Sequence, residues 1–253
     1  MLRMLKLTVA YDGTRYAGWQ MQRRATRQST IQGTLERVLR KILQEPVTVV
    51  GSGRTDAGVH ALAQVAHLRT RSTIPCERLR HSLNQLLPPD IAVTRVTEAG
   101  AAFHARYSAL RKRYRYRLLT APVVLPFVRP YVHHVHGPLD VPLMRREAAA
   151  LKGRHDFLAF ARASSPRATT VRRITSVRLV RRGDELQLDI EGNGFLHTMV
   201  RSIAGTLLDI GRGRLPPGSV RRLLATGNRH LAGTTAPAQG LTLVSVTYGR
   251  ADG

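Results

Sequence analysis

The stretch GSGRTDAGVHALAQVAHL, residues 51–68, decides how the chain is read. Its tail alternates in strand fashion over AQVAHLRT, and VTVV before it also reads as a buried strand, so the glycine-rich head is a loop between two strands. Gly53 and Gly58 have the spacing of a nucleotide phosphate loop. Such a loop needs Lys and Ser/Thr next for the phosphates and magnesium, yet Val59 and His60 follow. A dinucleotide loop needs a third glycine at position 56, which is an aspartate. Asp56 and His60 make two metal ligands with no third in the segment. Two readings remain for Asp56. It orders a turn by accepting backbone N–H bonds, or it presents a carboxylate to do chemistry.

Upstream of this stretch, LKLTVAYDG is a strand ending at the turn signal Asp12-Gly13. Ile31, Leu35, Val38, Leu39 and Ile42 form an amphipathic helical stripe, with a capping box of Ser29 and Gln32 at its start and Pro46 beyond its end. CERLRHSLNQLL predicts a helix stopped by Pro88-Pro89, and IAVTRVTE a strand. In the second half, ALRKRYRYRLLT reads as a strand, LMRREAAALKG as a helix, and ITSVRLVRRGDELQLDIEGN as a hairpin around Gly183-Asp184. Leu196, Met199, Val200, Ile203 and Leu207 share a helical face; SVRRLLATG adds a helix and GLTLVSVTYG a last strand. This repeated order predicts two α+β subdomains, 1–105 and 106–253.

The charge balance points to a partner. Forty Lys+Arg against 16 Asp+Glu give a formal +24, far beyond what solubility requires. Such an excess attracts polyanions, nucleic acid first and an anionic membrane surface second. Only four of the bases are lysine, a skew that biased codon supply explains, though it does not explain the shortage of acids. A single cysteine, Cys76, excludes an internal disulfide framework and any CxxC metal or redox motif, and fits a reducing cytoplasm. Arg3 and Lys6 interrupt the apolar N-terminal run, and no stretch is long enough to be read as a signal peptide or membrane span.

GSGRTDAGVHALAQVAHL resembles the catalytic motif of the tRNA pseudouridine synthase A (TruA) family. Further blocks occur in the family's order: YDGTRYAGWQ, FHARYSALRKRYRYRLL, GNGFLHTMVRSIAG and AGTTAPAQGLTLVSVTY. The resemblance implies the pseudouridine synthase fold: an α+β protein of two similar subdomains with mainly antiparallel sheets meeting at a central RNA-binding cleft. It implies an isomerase that turns uridine into pseudouridine in the anticodon stem-loop of tRNA, at positions 38, 39 or 40 in tRNA numbering. No cofactor or metal is implied. A cytoplasmic homodimer whose two subunits both contact tRNA is.

Carried onto this chain, the resemblance makes Asp56 the nucleophile, Arg201 its ion-pair partner, Tyr114 the residue whose ring stacks on the target base, and Arg54 the side chain that holds the base flipped out. The chemistry fits. A carboxylate can form an adduct or support an oxocarbenium-like centre, and a cation beside it offsets the rise in pKa that burial causes. Period two puts Tyr114 and Tyr116 on one strand face and Arg113, Arg115 and Arg117 on the other, which reads as a charged outer face. The loop MQRRATRQ offers Arg23, Arg24 and Arg27 as tRNA contacts. Two positions depart from the family's habit: Met21, where arginine is commoner, and Thr198, where Asn or His is. The alternative reading is a non-catalytic RNA-binding protein on the same scaffold.

Overall fold

A computed structural model of the chain describes residues 2–21, 29–162 and 169–249. Contacts divide the chain into two units, Met1–Leu110 with Leu243–Gly253, and Arg111–Thr242.

The first unit is built on β1 (Arg3–Tyr11), β3 (His60–Thr70) and β4 (Ile91–Ala99), with β1 between the other two and antiparallel to both. Register places Leu5 opposite Leu68 and Leu7 opposite Ala66, so the apolar residues of successive strands share one buried face. Between the strands lie α1 (Ile31–Leu43) and α2 (Cys76–Leu86), which bury Ile31, Leu35 and Leu39, and Leu79 and Leu83.

Two local expectations change. The cap of α1 is Thr30, whose hydroxyl accepts from the Gly33 N–H at 3.2 Å, not Ser29. Gln32 is drawn elsewhere: its amide donates to Glu36 and to the Val49 carbonyl, each at 3.0 Å, and its oxygen accepts from the Met21 N–H. The expected strand over VTVV shrinks to β2 (Val50–Gly51), paired with β3. Side chains of α1 replace the ladder there, since Glu36 also accepts the Val49 N–H at 3.0 Å. Buried Glu36 is held by Arg40 at 2.9 Å, so the cost of burying the carboxylate is offset by an ion pair and two hydrogen bonds.

The second unit carries β5 (Arg111–Leu119), β6 (His133–His134), α3 (Val141–Ala149), β7 (Gly153–Asp156), β8 (Val171–Arg182), β9 (Glu185–Gly192), α4 (Met199–Gly211) and α5 (Ser219–Thr226). Its strands run in the order β5-β9-β8-β7, all antiparallel, with two-residue β6 parallel to β5. The β8–β9 hairpin turns at Gly183, whose φ of 57° suits glycine. β10 (Leu241–Thr247) starts in this unit and continues into the first, where the Leu110 N–H donates to the Thr247 carbonyl at 2.8 Å. The end of the chain therefore groups with its beginning, whereas the sequence pattern placed 106–253 together. The fold is α+β with mainly antiparallel sheets. No helix among the described residues is long and apolar enough to cross a membrane.

Candidate active site

Asp56 sits half-buried in the loop between β2 and β3, and its carbonyl accepts from the Val59 N–H at 3.2 Å. The loop is fixed from two sides. On one, the buried Ser52 hydroxyl bonds Gln64 at 2.7 Å, and the Gln64 amide donates to the Gly53 carbonyl at 3.0 Å, which ties the loop's entry to β3. On the other, the turn after β1 folds against it. The Trp19 N–H donates to the Thr55 carbonyl at 3.1 Å, Tyr11 and Thr55 share a hydroxyl hydrogen bond of 2.8 Å, and the Gly13 N–H reaches His60 Nδ1 at 3.1 Å. Burial pushes the Tyr11 phenol up to about 12 against the smaller opposing pull of Thr55 and Gln64, so it stays a neutral partner.

This bracing explains the glycines of YDGTRYAGWQ. Gly18 has φ of 89°, and a Cβ there would stand 2.5 Å from the Thr55 carbonyl oxygen. Gly58, inside the loop, has φ of 76° and turns the chain into β3. Neither Trp19 nor Thr55 is singled out by the sequence pattern, although Trp19 is the chain's one tryptophan and is buried. Arg54 is exposed and its Nε donates to Gln20 Oε1 at 3.0 Å, which ties it to the same turn.

Tyr114 and Arg201 lie in the second unit. Tyr114 faces inward from β5, 7% exposed, and meets Phe195 edge-on with centroids 5.0 Å apart. The opposite face of β5 is neutralised strand to strand. Arg115 forms a two-pronged pair with Asp189 (2.7 and 2.8 Å) and Arg117 with Glu185 (2.8 and 2.7 Å). Those pairs raise both guanidinium pKa values and hold the Glu185 carboxyl below its usual range. The charged outer face expected from period two is thus internally paired at these positions.

Arg201 projects from α4, which is buried from Ser202 to Gly211, in keeping with the apolar face seen in the sequence. Its Nε donates to the Ala236 carbonyl at 2.8 Å, and the Ala236 N–H donates back to the Arg201 carbonyl at 3.1 Å. The segment AGTTAPAQG is clamped along the helix by these bonds and by others: Gly233 N–H to Thr206, and Thr234 N–H to the buried Asp209, both 3.1 Å. Gly205 is where the two backbones touch, for a Cβ there would overlap the Thr234 carbonyl. Tyr116, beneath Tyr114 on the same face, donates to the Pro237 carbonyl at 2.8 Å; burial raises its pKa while the Arg201 charge opposes the rise. The clamping by residues 233–237 carries no chemical signature in the sequence, which shows them as small residues and threonines within the family-like block AGTTAPAQGLTLVSVTY.

The helix begins under strain. Thr198, its N-cap, has φ of 62°, one of two non-glycine residues with positive φ among those described. Arg23, Arg24 and Arg27 lie outside the described residues. Among those described, no group of three or more His, Cys, Asp or Glu is placed to hold a metal ion.

The fold and these side chains describe an α+β protein of repeated plan, with a braced carboxylate loop in one unit and a clamped arginine helix in the other. Residues 7–108 and 148–249 match a family model described as tRNA pseudouridine synthase, and the chain belongs to that family. It is 41% identical to a tRNA pseudouridine synthase A of Thermoanaerobacter sp. over 98% of this chain and 100% of that one. The corresponding figures are 44%, 98% and 100% for the protein of the same name from Geotalea uraniireducens, and 46%, 96% and 99% for that from Moorella thermoacetica. A chain in the crystal structure of a Cbf5-Nop10-Gar1 complex aligns over 94% of this chain and 48% of its own, at 11% identity and a TM-score of 0.38.

Proposed function

We propose that the chain converts uridine to pseudouridine in the anticodon stem-loop of tRNA, at positions 38, 39 or 40 in tRNA numbering, with Asp56 as the nucleophile. The observation that carries this reading is the loop 51–60. In a chain of the tRNA pseudouridine synthase family, the loop around its half-buried aspartate is held through Thr55 by Trp19 and Tyr11 and through Gly53 by Gln64. Preorganisation of this kind removes the cost of ordering a nucleophile at the moment of reaction.

The reaction breaks the bond from C1′ to uracil N1, turns the base, and joins C5 to the same C1′. N1 gains a proton and C5 loses one, so no redox partner or energy source is needed. In this reading Asp56 supplies the anionic oxygen, and Arg201, aligned through Ala236, is its ion-pair partner. Tyr114, its ring fixed by Phe195, supplies an aromatic surface to the extruded base. Stacking worth roughly 1–3 kcal/mol matches the few kcal/mol that extrusion costs. Arg54 holds the base flipped out, and Arg23, Arg24 and Arg27 contact phosphate. The working form is a cytoplasmic homodimer engaging tRNA through both subunits, without metal or cofactor.

The test is to incubate the purified chain with unmodified tRNA transcripts and map pseudouridine at single-nucleotide resolution, with and without chelator. New pseudouridine at 38, 39 or 40, unaffected by chelator, is the expected result. Bound but unmodified tRNA would instead support a non-catalytic RNA-binding protein, and loss of activity with chelator would reveal a metal requirement.

A further inference from the structure

From the turn at residues 100–108 in the first unit, we propose a second RNA subsite, in which Tyr107 stacks against an unpaired nucleobase and Arg106 contacts the neighbouring phosphate. This rests on the reading above that the chain acts on tRNA, and names a contact separate from the Asp56 loop.

Tyr107 is 76% exposed, a large ring set out into solvent. It is not a loose side chain on a loose loop. Its ring lies on His104 in a tilted contact, with centroids 4.3 Å apart and planes inclined by 33°. His104 is itself fixed. Its Nδ1 accepts from the Arg106 and Tyr107 N–H groups at 3.2 and 3.3 Å, and its backbone is tied at both ends to Ser108. Behind it stands His67, with ring centroids 4.8 Å apart, whose Nδ1 accepts the Ala105 N–H at 3.1 Å.

The base of the turn is seated in the core. Phe103 and Ala105 pack with Met4 and Val65, the Tyr248 hydroxyl donates to the Ala105 carbonyl at 2.7 Å, and the Lys6 ammonium lies over the Phe103 and Tyr248 rings. A short turn thus uses two histidines, a serine and a terminal tyrosine to hold one aromatic ring still in water. A pre-fixed ring loses little freedom on binding, which favours a flat apolar partner.

Charge identifies that partner. The Arg106 guanidinium stands 5.7 Å from the Tyr107 ring centroid, and both side chains are exposed, so a base placed on the ring would have a cation beside its phosphate. The chain's formal +24 further favours a polyanion. An aromatic ring with an adjacent arginine is the pattern that binds single-stranded nucleic acid without reading its sequence.

The experiment compares dissociation constants for one unmodified tRNA transcript across parent, Tyr107→Ala, Tyr107→Phe and Arg106→Ala, each over a range of salt, with pseudouridine formation by the parent run alongside. Tyr107→Ala is expected to weaken binding by roughly 5- to 150-fold with the salt slope unchanged, and Tyr107→Phe to restore it. Arg106→Ala should lower the salt slope by about one phosphate contact. Tyr107 projects into solvent, so the thermal midpoints should match the parent. Parent-like affinity for Tyr107→Ala, or a Tyr107→Phe protein as weak as it, would overturn the proposal. So would a change in oligomeric state on Tyr107→Ala without a change in RNA affinity. A parent that makes no pseudouridine, while Tyr107→Ala still loses RNA affinity, would overturn the isomerase reading and leave this subsite standing.

Discussion

The backbone N–H of Trp19 donates to the carbonyl of Thr55 at 3.1 Å, joining the turn after β1 to the loop that carries Asp56. Gly18 makes that approach possible. Gly18→Ala places a methyl against the Thr55 carbonyl and forces alanine to positive φ, so it should destabilise the fold by more than about 1 kcal/mol. Urea denaturation measures the loss. Because the strain falls on the Asp56 loop, the pseudouridine-forming rate should drop even where the protein remains folded. An unchanged urea midpoint would show that the turn does not brace the loop.

Thr198 holds a left-handed conformation at the head of α4, where its branched Cβ is unfavourable. Asparagine tolerates that region. Thr198→Asn should therefore raise stability by about 1 kcal/mol, read as a higher urea midpoint with an unchanged slope.

His67 provides a pH signature. Burial, with the His104 and Arg69 charges adding to it, pushes its imidazole down from 6.5 to about 4. Between those values the unfolded chain binds a proton that the native protein refuses. The stability contribution is complete above pH 6.5, declines as pH falls toward 4, and levels off below. His67→Gln should flatten this part of the stability curve relative to the parent. Parallel curves for the two proteins would contradict the assignment.

Much of the fold was legible because it follows from periodicity. The alternation in β1 and β9, the stripe of α1, the prolines after α2 and the turn at Gly183 each express a local preference that survives in the structure. The departures arise where a side chain competes with the backbone. Val49 looked like strand, but Gln32 and Glu36 take its carbonyl and its N–H; Ser29 looked like the cap, but Thr30 fills that place. The grouping of residues from Leu243 onward with the first unit depends on long-range pairing, which no local pattern encodes.

The site divides in the same way. Asp56, Arg54, Tyr114 and Arg201 are proposed from motif resemblance, which names them but says nothing of what supports them. Trp19 and Ala236 hold their neighbours through backbone N–H and carbonyl groups, and Gln64 through a side-chain amide on a backbone carbonyl; a backbone partner leaves no mark on residue type, so these supporting contacts were not legible.

The account turns on Asp56, and Asp56→Asn tests it most directly, since the side chain keeps its size and loses its charge. Pseudouridine in a tRNA transcript should be measured for parent and variant under single-turnover conditions, with tRNA affinity and thermal midpoint determined on the same preparations. The account predicts a variant that is folded and binds tRNA but forms no detectable pseudouridine. A variant forming pseudouridine at the parent rate would contradict it.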